Sequence, residues 1–192
     1  MNICVYGASS STIDKGFING GEVLGKMIAE KGYGVVYGGG KEGMMGAVAR
    51  GAVSNGGNVI GIAPGFFKVD GSLFDGCTEF IYTETMRERK KLLEEHSGAF
   101  IVTPGGAGTF DEFFEIFTLR QLDRHRKPIA IFNINGYFDP LNALLENAIK
   151  LNFMTEANRS LYFISDNADE ILSYIENYKP AKTNISVLKD IK

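Results

Sequence analysis

The sequence predicts an α/β fold in which a mostly parallel sheet of about seven strands carries helices on both faces. Seven short apolar runs rich in Val, Ile, Phe and Tyr recur along the chain, and most lack the alternation of a half-exposed strand. Helical segments fall between most of these runs, which is the order of a parallel sheet with crossover helices. The 24 glycines are clustered rather than spread, which indicates several tight backbone turns between the elements.

The element boundaries follow from the apolar runs and from the helix signals between them. The predicted strands are residues 2–7, 34–38, 58–63, 79–83, 99–103, 128–134 and 161–166. The predicted helices are residues 17–31, 44–55, 86–96, 110–123, 139–151 and 167–177. Residues 1–179 then form a single domain, long enough for a full hydrophobic core. Residues 180–192 are predicted to be a polar, peripheral C-terminal tail.

The composition argues against several classes of protein. A net charge of −3 with no dominant basic stretch gives no sign of a nucleic-acid-binding surface. No apolar run approaches the length of a membrane span, and the N-terminus lacks the pattern of a signal peptide. Cys4 and Cys77 suggest no disulfide framework, so a reducing compartment, the cytoplasm, is expected. His96 and His125 are far apart and no HExxH or CxxC motif occurs, so no metal site is expected.

The loops after strands come first in the search for ligands, which bind at the carboxyl ends of the strands in such sheets. In the first loop, GASSS (7–11), Ser9 is a candidate phosphate contact, although Gly and Ser are also ordinary turn residues. In the second loop, Gly38, Gly40 and Gly43 match G-x-G-x-x-G, and Gly39 and Gly40 are candidate substrate contacts. That match is weak for a dinucleotide, because no acidic residue ends the next strand. A smaller ligand and plain helix–strand packing are nearly equal interpretations.

The third loop, residues 103–109, indicates an anion site. It holds three glycines, Gly105, Gly106 and Gly108. They allow backbone N–H groups to point outward at the start of the next helix, where the helix dipole favours a phosphate. Thr109 and Glu112 also fit a T-x-x-E capping box, which needs no function at all. The loop and the Glu112 carboxylate together suggest a ligand with a phosphate at one end and a reacting bond some distance away.

Helix 86–96 carries a positive charge on its apolar face. Thr85 and Glu88 at its start fit a capping box. At about 100° per residue, Arg89 falls in the middle of the apolar face and Lys90 lies at its edge. A buried arginine without a partner is costly, so Arg89 must meet an anion or a carboxylate. The alternatives are snorkelling to solvent and a purely structural ion pair.

Helix 110–123 has almost no polar face. Its apolar residues are Phe110, Phe113, Phe114, Ile116, Phe117, Leu119 and Leu122. A helix that is apolar all round is buried on two sides. One side can be the sheet, and the other is predicted to pack against a second copy of the chain, so a homodimer is expected.

Three segments, in this order and spacing, carry a resemblance to a known family. They are GGGKEGMMG (38–46), MRERK (86–90) and PGGAGTFDE (104–112). The chain resembles the LONELY GUY (LOG) family, cytokinin riboside 5'-monophosphate phosphoribohydrolases that were long mislabelled as lysine decarboxylases. The family pattern P-G-G-x-G-T-x-x-E is matched in full. The resemblance covers most of the chain and is more specific for the family than for the substrate.

The resemblance implies a Rossmann-like dimer that hydrolyses the N-glycosidic bond of a nucleoside 5'-monophosphate to free base and ribose 5-phosphate, without a cofactor. Arg89 and Glu112 match the family's catalytic pair. Lys90, Thr118 and the loop 106–109 match its nucleotide-binding positions. These assignments agree with the chemistry, because a carboxylate can stabilise the positive charge that builds on the sugar and can activate water.

The chain departs from the family in three places. Arg87 stands where the family often has His, and Asp111 stands where Glu is common. Residues 65–80 resemble the family poorly, on the side that would recognise the base. Prenylated adenine and plain adenine, and with them hormone activation and nucleotide salvage, therefore both stay open.

Other functions remain as alternatives. A nucleotide-binding carrier or sensor on the same fold would bind AMP without releasing a base. Lysine decarboxylation would need pyridoxal phosphate on a lysine, and no lysine has a suitable setting. An NAD-dependent oxidoreductase is disfavoured by the missing ribose-binding acid.

Overall fold

The computed structural model describes residues 1–180, 187 and 188, and within them the sheet has seven strands, all parallel. The strands are β1 (Asn2–Tyr6), β2 (Gly34–Tyr37), β3 (Val59–Pro64), β4 (Glu79–Thr83), β5 (Ala99–Val102), β6 (Ile129–Phe132) and β7 (Phe163–Ser165). Their order across the sheet is β4-β3-β2-β1-β5-β6-β7. The predicted class and the seven predicted strands are confirmed.

Six α-helices in the described part of the chain cover the two faces of the sheet. They are α1 (Lys15–Glu30), α2 (Gly43–Val53), α3 (Met86–Glu95), α4 (Ala107–Gln121), α5 (Asp139–Lys150) and α6 (Ala168–Asn177). Helices α1, α2 and α6 pack on one face, where Leu24 and Ile171 share an apolar cluster. Helices α3, α4 and α5 pack on the other, around Phe113 and Leu145. None of these six helices is long and apolar enough to cross a membrane.

The chain changes its direction across the sheet at β1. Strands β2, β3 and β4 lie on one side of β1, and β5, β6 and β7 lie on the other. The helix after β1 and the helix after β5 accordingly pack on opposite faces. A crevice opens between the two connections, at the switch point where open α/β sheets bind ligands. Across it, the N–H of Ala8 donates to the carbonyl oxygen of Pro104 at 3.0 Å.

Helices α1 and α2 lie so close together that glycines are required at their contact. A Cβ at Gly25 would overlap the carbonyl oxygen of Val48, and a Cβ at Gly51 would overlap that of Glu22. Both obstacles are backbone atoms, which cannot move aside as a side chain can. The contact therefore fixes α2, and with it the glycine loop 38–42, against the crevice side of the sheet.

The predicted capping box at the start of α3 is present. Thr85 Oγ1 accepts a hydrogen bond from the N–H of Glu88 at 3.1 Å. The Glu88 carboxylate accepts in turn from the N–H of Glu84 at 2.9 Å, one residue earlier than the usual partner. Two N–H groups are thereby satisfied, and the rotational setting of the helix that carries Arg89 is fixed.

Helix α4 begins earlier than predicted. Its N-cap is Gly106 and its first residue is Ala107, so Thr109 lies inside the first turn. The capping-box interpretation of Thr109 and Glu112 is therefore wrong. Thr109 is buried because its side chain packs where a Cβ of Gly105 would stand. Glycine itself is accepted at an N-cap, so the helix needs no side chain from residue 109 to begin.

The predicted C-terminal tail, residues 180–192, lies largely outside the described residues. Leu188 is described, and it is 1% exposed within the apolar cluster of α4 and α5. Its carbonyl oxygen accepts a hydrogen bond from Asn158 Nδ2 at 3.2 Å. This residue therefore belongs to the core rather than to a peripheral tail.

Candidate functional site

A cavity of about 360 Å³ lies at the crevice, where the loops after β1, β2 and β5 meet. This volume suits a small organic ligand. Of the residues predicted from the sequence, the cavity brings together Ser9, Gly40, Arg89, Gly106, Gly108, Thr109 and Glu112. A larger open hollow of about 810 Å³ lies beside α5, but three of its charged residues are joined in ion pairs, since Arg159 pairs with both Glu146 and Glu156. The crevice cavity is therefore the candidate site.

Arg89 and Glu112 form a buried ion pair in this cavity. Arg89 Nη2 lies 3.1 Å from Glu112 Oε1, and the two side chains are 11% and 9% exposed. Arg89 Nε also donates to the carbonyl oxygen of Ile62 in β3 at 3.2 Å. The predicted need of Arg89 for an anionic partner is thus confirmed. Two bonds in different directions fix the guanidinium and, through it, the carboxylate.

The environment of Glu112 alters its acidity. Burial raises the pKa of Glu112 to about 7, even though the neighbouring Arg89 guanidinium lowers it. A carboxyl with this pKa exchanges its proton near neutral pH, where a general base has to work. A buried carboxylate in a cavity, with its pKa shifted into this range, is typical of an active site.

Gly38 makes room for the Arg89 guanidinium. A Cβ at residue 38 would overlap Arg89 Nη2, the atom that is bound to Glu112, and would crowd Met45 Sδ at 3.1 Å. The first glycine of the G-x-G-x-x-G match therefore accommodates a side chain of α3. Gly38 had no predicted role of its own, because a glycine that faces a side chain distant in sequence has no signal in its neighbours.

The loop after β5 presents backbone donors to the cavity. Gly106 is the N-cap of α4, and no side chain of the described residues caps this end. The first N–H groups of the helix have no partner within the helix. A Cβ at Gly106 or at Gly108 would have no heavy atom within 4 Å, so the space beside them is open. Together with the helix dipole, this arrangement suits an anion such as a phosphate.

Lys90 and Thr118 do not line the cavity of their own chain. Lys90 Nζ lies 3.0 Å from Asp111 Oδ2 and also pairs with Glu115. Burial alone would lower the pKa of Lys90, but the Glu115 and Asp111 carboxylates raise it, and the net shift is upward. Thr118 is exposed on α4, in a separate hollow beside Phe114.

Gly39 and Gly105 shape the loops and stand behind the lining. A Cβ at Gly39 would overlap the ring of Phe80, and φ is +79° there, a conformation that favours glycine. Gly105 packs directly against Thr109. Gly39 and Gly105 were predicted to contact the substrate. In the structure they instead position their neighbours Gly40 and Gly106, which line the cavity.

One wall of the cavity was not predicted. Its residues are Met45, Phe67, Ser72 and Leu73. Backbone bonds anchor this wall to the second glycine loop: the N–H of Lys41 donates to the Ser72 carbonyl and that of Phe74 to the Gly39 carbonyl, both at 2.9 Å. The wall is mostly apolar, so it suits the flat ring of a base. Met45 lies in α2, and the other three lie within residues 65–80, the segment expected on the base side, but none of the four belongs to a pattern that singles it out as a site residue.

Relatives match the chain along most of its length. A family model described as possible lysine decarboxylase matches residues 45–175. The probable cytokinin riboside 5'-monophosphate phosphoribohydrolase LOGL5 of Oryza sativa subsp. japonica is 32% identical over 187 residues, which cover 97% of this chain and 76% of that protein. The cytokinin riboside 5'-monophosphate phosphoribohydrolase of Rhodococcoides fascians is 36% identical over 157 residues, which cover 81% of this chain and 79% of that protein.

A solved structure supports the same fold. The molybdenum cofactor binding protein from the phototrophic bacterium Rippkaea orientalis gives a TM-score of 0.69 over 91% of this chain and 94% of that one, at 22% identity. This likeness concerns the fold alone and agrees with the Rossmann-like arrangement. The sequence matches go further, because the matched range 45–175 includes both Arg89 and Glu112. The chain therefore belongs to the LONELY GUY (LOG) family, whose family model is described as possible lysine decarboxylase.

Proposed function

We propose that this chain hydrolyses the N-glycosidic bond of a nucleoside 5'-monophosphate and releases the free base and ribose 5-phosphate. The observation that carries the proposal is the buried pair of Arg89 and Glu112, which lines the same cavity as the open N-terminus of α4. The relatives described above are named as phosphoribohydrolases of cytokinin riboside 5'-monophosphates, which supports the same class of reaction here.

The cavity has a place for each part of such a substrate. The backbone N–H groups at the start of α4 bind the 5'-phosphate. The apolar wall around Phe67 and Leu73 takes the base. The ribose then lies near Glu112, whose carboxylate stabilises the positive charge that builds on the sugar. A cavity of about 360 Å³ is large enough for a nucleotide of this size.

In the hydrolytic step, the bond between C1' and the base nitrogen breaks and the base leaves with the bonding electrons. The oxygen of a water molecule bonds to C1', and Glu112 accepts the proton that this water loses. The departing base takes up a proton from solvent, so charge is conserved. Arg89 acts by holding the Glu112 carboxylate in place in a largely dry site.

Incubation of the pure protein with AMP and with isopentenyladenosine monophosphate tests the proposal. We expect chromatography to show release of free base from at least one of them, and the ratio of the two rates gives the substrate class. Adenosine, which lacks the phosphate, is the matched control and should be cleaved far more slowly. Saturable AMP binding without release of base from either nucleotide would reject hydrolysis.

A nucleotide carrier without turnover is the second candidate. The likeness of fold to the molybdenum cofactor binding protein favours it. The buried Arg89–Glu112 pair in the cavity, with the pKa of Glu112 raised to about 7, favours turnover over binding alone. Decarboxylation of lysine would need pyridoxal phosphate on a lysine. Lys90, the lysine next to the ion pair, is instead held by two carboxylates.

The pH dependence of kcat/KM should report the ionisation of Glu112. The carboxylate is the active form, so the rate rises with pH through the raised pKa of about 7 and levels off above it. Below that pKa the protonated group cannot accept a proton, and the rate falls about tenfold per pH unit. Initial rates of AMP cleavage from about pH 5 to about pH 9 measure this limb. A flat profile between about pH 6 and pH 8 would contradict the role assigned to Glu112.

We also propose that the chain acts as a homodimer. Phe114 on α4 is 38% exposed and Phe153 is 82% exposed, and both line one hollow with Thr118. Adjacent exposed apolar side chains favour a protein–protein contact. The predicted contact of Thr118 with the nucleotide would have to be made across such an interface. Sedimentation of the intact chain at micromolar concentration distinguishes a monomer, a dimer and a higher assembly.

Residues 1–179 are proposed to work as one domain in the cytoplasm. Elements from both ends of this range share one core, since α1 and α6 pack in the same apolar cluster. Cys4 and Cys77 are free thiols, the usual state in a reducing compartment.

A further inference from the structure

A tyrosine outside the cavity lining holds the loop that is proposed to bind the phosphate. The hydroxyl of Tyr137 donates a hydrogen bond to the carbonyl oxygen of Gly105 at 2.6 Å. Tyr137 directly follows the short 3-10 helix Ile134–Gly136 at the end of β6. Strand β6 pairs with β5, so this turn lies beside the glycine loop that leaves β5.

The Tyr137 side chain is supported from both sides. Its ring makes an edge-on contact with Phe17 of α1, at 6.0 Å between centroids, and another with Phe138 at 5.0 Å. The N–H of Phe138 donates to Asn133 Oδ1 at 2.6 Å, and Asn133 Nδ2 donates to Asp139 Oδ1 at 2.8 Å. The turn is therefore fixed before any ligand binds, and the hydroxyl is presented to Gly105 with little further loss of freedom.

The hydrogen bond acts on the peptide unit that opens α4. The Gly105 carbonyl and the Gly106 N–H belong to one planar, trans peptide, so the N–H points away from the Tyr137 hydroxyl. Gly106 is the N-cap of α4 and lines the cavity. A hydrogen bond accepted by the carbonyl also polarises the peptide and makes its N–H a stronger donor. On the opposite side of the loop, the Pro104 carbonyl accepts from the N–H of Ala8.

We propose that Tyr137 is a positioning residue for the 5'-phosphate: its hydroxyl orients the Gly105–Gly106 peptide and strengthens the donor that the phosphate meets. The inference rests on the proposed function, since it takes the loop to be a phosphate site. Tyr137 itself does not touch the substrate, because its hydroxyl is bound to the backbone and its ring packs on Phe17 and Phe138.

Tyr137→Phe tests this, because it removes the hydroxyl and keeps the ring. Tyr162→Phe is the matched control, since the Tyr162 hydroxyl donates to Asn142 Oδ1 at 3.0 Å and not to the loop. Calorimetric titration with ribose 5-phosphate gives Kd for both variants and the wild type. In Tyr137→Phe we expect Kd, and KM for AMP, to rise about three- to tenfold with kcat within about twofold. Tyr162→Phe should change neither constant.

The possible outcomes separate this inference from the proposed reaction. An unchanged Kd in Tyr137→Phe, or an equal rise in both variants, would overturn the role of Tyr137, and so would a lower kcat at unchanged KM. Wild-type protein that binds ribose 5-phosphate but cleaves neither nucleotide would reject the hydrolysis alone, and the Kd comparison would still decide the role of Tyr137. Wild-type protein that neither binds ribose 5-phosphate nor cleaves either nucleotide would reject both, whereas cleavage without such binding would overturn the role of Tyr137 alone.

Discussion

Replacement of Glu112 by glutamine is expected to lower kcat for base release about 10³-fold, while AMP still binds within about threefold of the wild-type affinity. Glutamine keeps the shape of the side chain and an oxygen for the bond from Arg89 Nη2. It can neither accept the proton of the attacking water nor carry the negative charge that stabilises the sugar. Chromatography of the released base gives kcat, and calorimetric titration with AMP gives the affinity.

The same substitution should change how stability depends on pH. In the folded wild type the pKa of Glu112 is raised from 4.5 to about 7, so the folded state holds the proton more tightly than the unfolded chain does. This stabilisation is complete below the unfolded pKa and is lost as pH rises through the folded pKa, by up to about 3 kcal/mol. Glutamine does not titrate, so the unfolding free energy of the variant should rise relative to wild type between about pH 5 and pH 8. Chemical denaturation of the wild type and the variant at each of these two pH values measures the difference in unfolding free energy.

Glu146→Gln is the matched control for Glu112→Gln. Glu146 pairs with Arg159 beside α5, so the control also removes one carboxylate from an arginine ion pair, but outside the crevice cavity. It should keep the wild-type kcat. Turnover that persists in Glu112→Gln would make Glu112 a structural partner of Arg89 and not the base.

The second large effect is expected from Gly38→Ala, which adds a single methyl group. The new Cβ would overlap Arg89 Nη2 and displace the guanidinium from Glu112. The crowded atoms, Arg89 Nη2 and Met45 Sδ, are at or near the ends of flexible side chains, so the backbone can keep its course, but the weakened buried ion pair should lower the melting temperature by several degrees. The protein should still fold, and its activity should fall further, because a catalytic group misplaced by about 1 Å can cost about 10²-fold in kcat/KM. Steady-state kinetics together with thermal denaturation measure both effects.

Gly38→Ala should also move the acidic limb of the pH–rate profile to higher pH, because Arg89 lowers the pKa of Glu112 and would no longer do so fully. Gly65→Ala is the control: the nearest heavy atom to its new Cβ is the Thr83 carbonyl oxygen, at 3.9 Å. This control should behave as wild type. Wild-type kinetics and an unmoved limb in Gly38→Ala would show that the position of the guanidinium is not critical.

The fold could be predicted because its signals are local. Strand β5 is a continuous apolar run, and Thr85 caps α3 through the N–H of Glu88. The start of α4 was missed for a physical reason. A rule that places the first residue of a helix after a side-chain cap fails at Gly106, which lines the cavity and starts a helix end without a side-chain cap among the described residues. Local rules describe helices that satisfy their own ends, and a ligand site is an exception to them.

The ion pair could be predicted only in part. The position of Arg89 on an apolar face required an anionic partner, but three acidic residues lie close together on α4. The packing of α3 against α4 decides between them: Glu112 meets Arg89, whereas Asp111 and Glu115 meet Lys90. The pattern of apolar and charged residues does not contain the relative rotation of the two helices, which decides among these neighbours, so Glu112 was singled out only by the resemblance to the family.

The central position of β1 bears on the kinetics of folding. Ile3 pairs with Val35 of β2 on one side and with Ala99 of β5 on the other. The contacts at the crevice join parts of the chain that are far apart in sequence. For example, Thr103 Oγ1 donates a hydrogen bond to the carbonyl oxygen of Tyr6, 97 residues away. Closing so long a loop costs entropy before its contacts form, so we expect the crevice to be completed after the transition state. A nucleotide bound there would then slow unfolding and leave the refolding rate unchanged, so that substrate lengthens the lifetime of the folded chain.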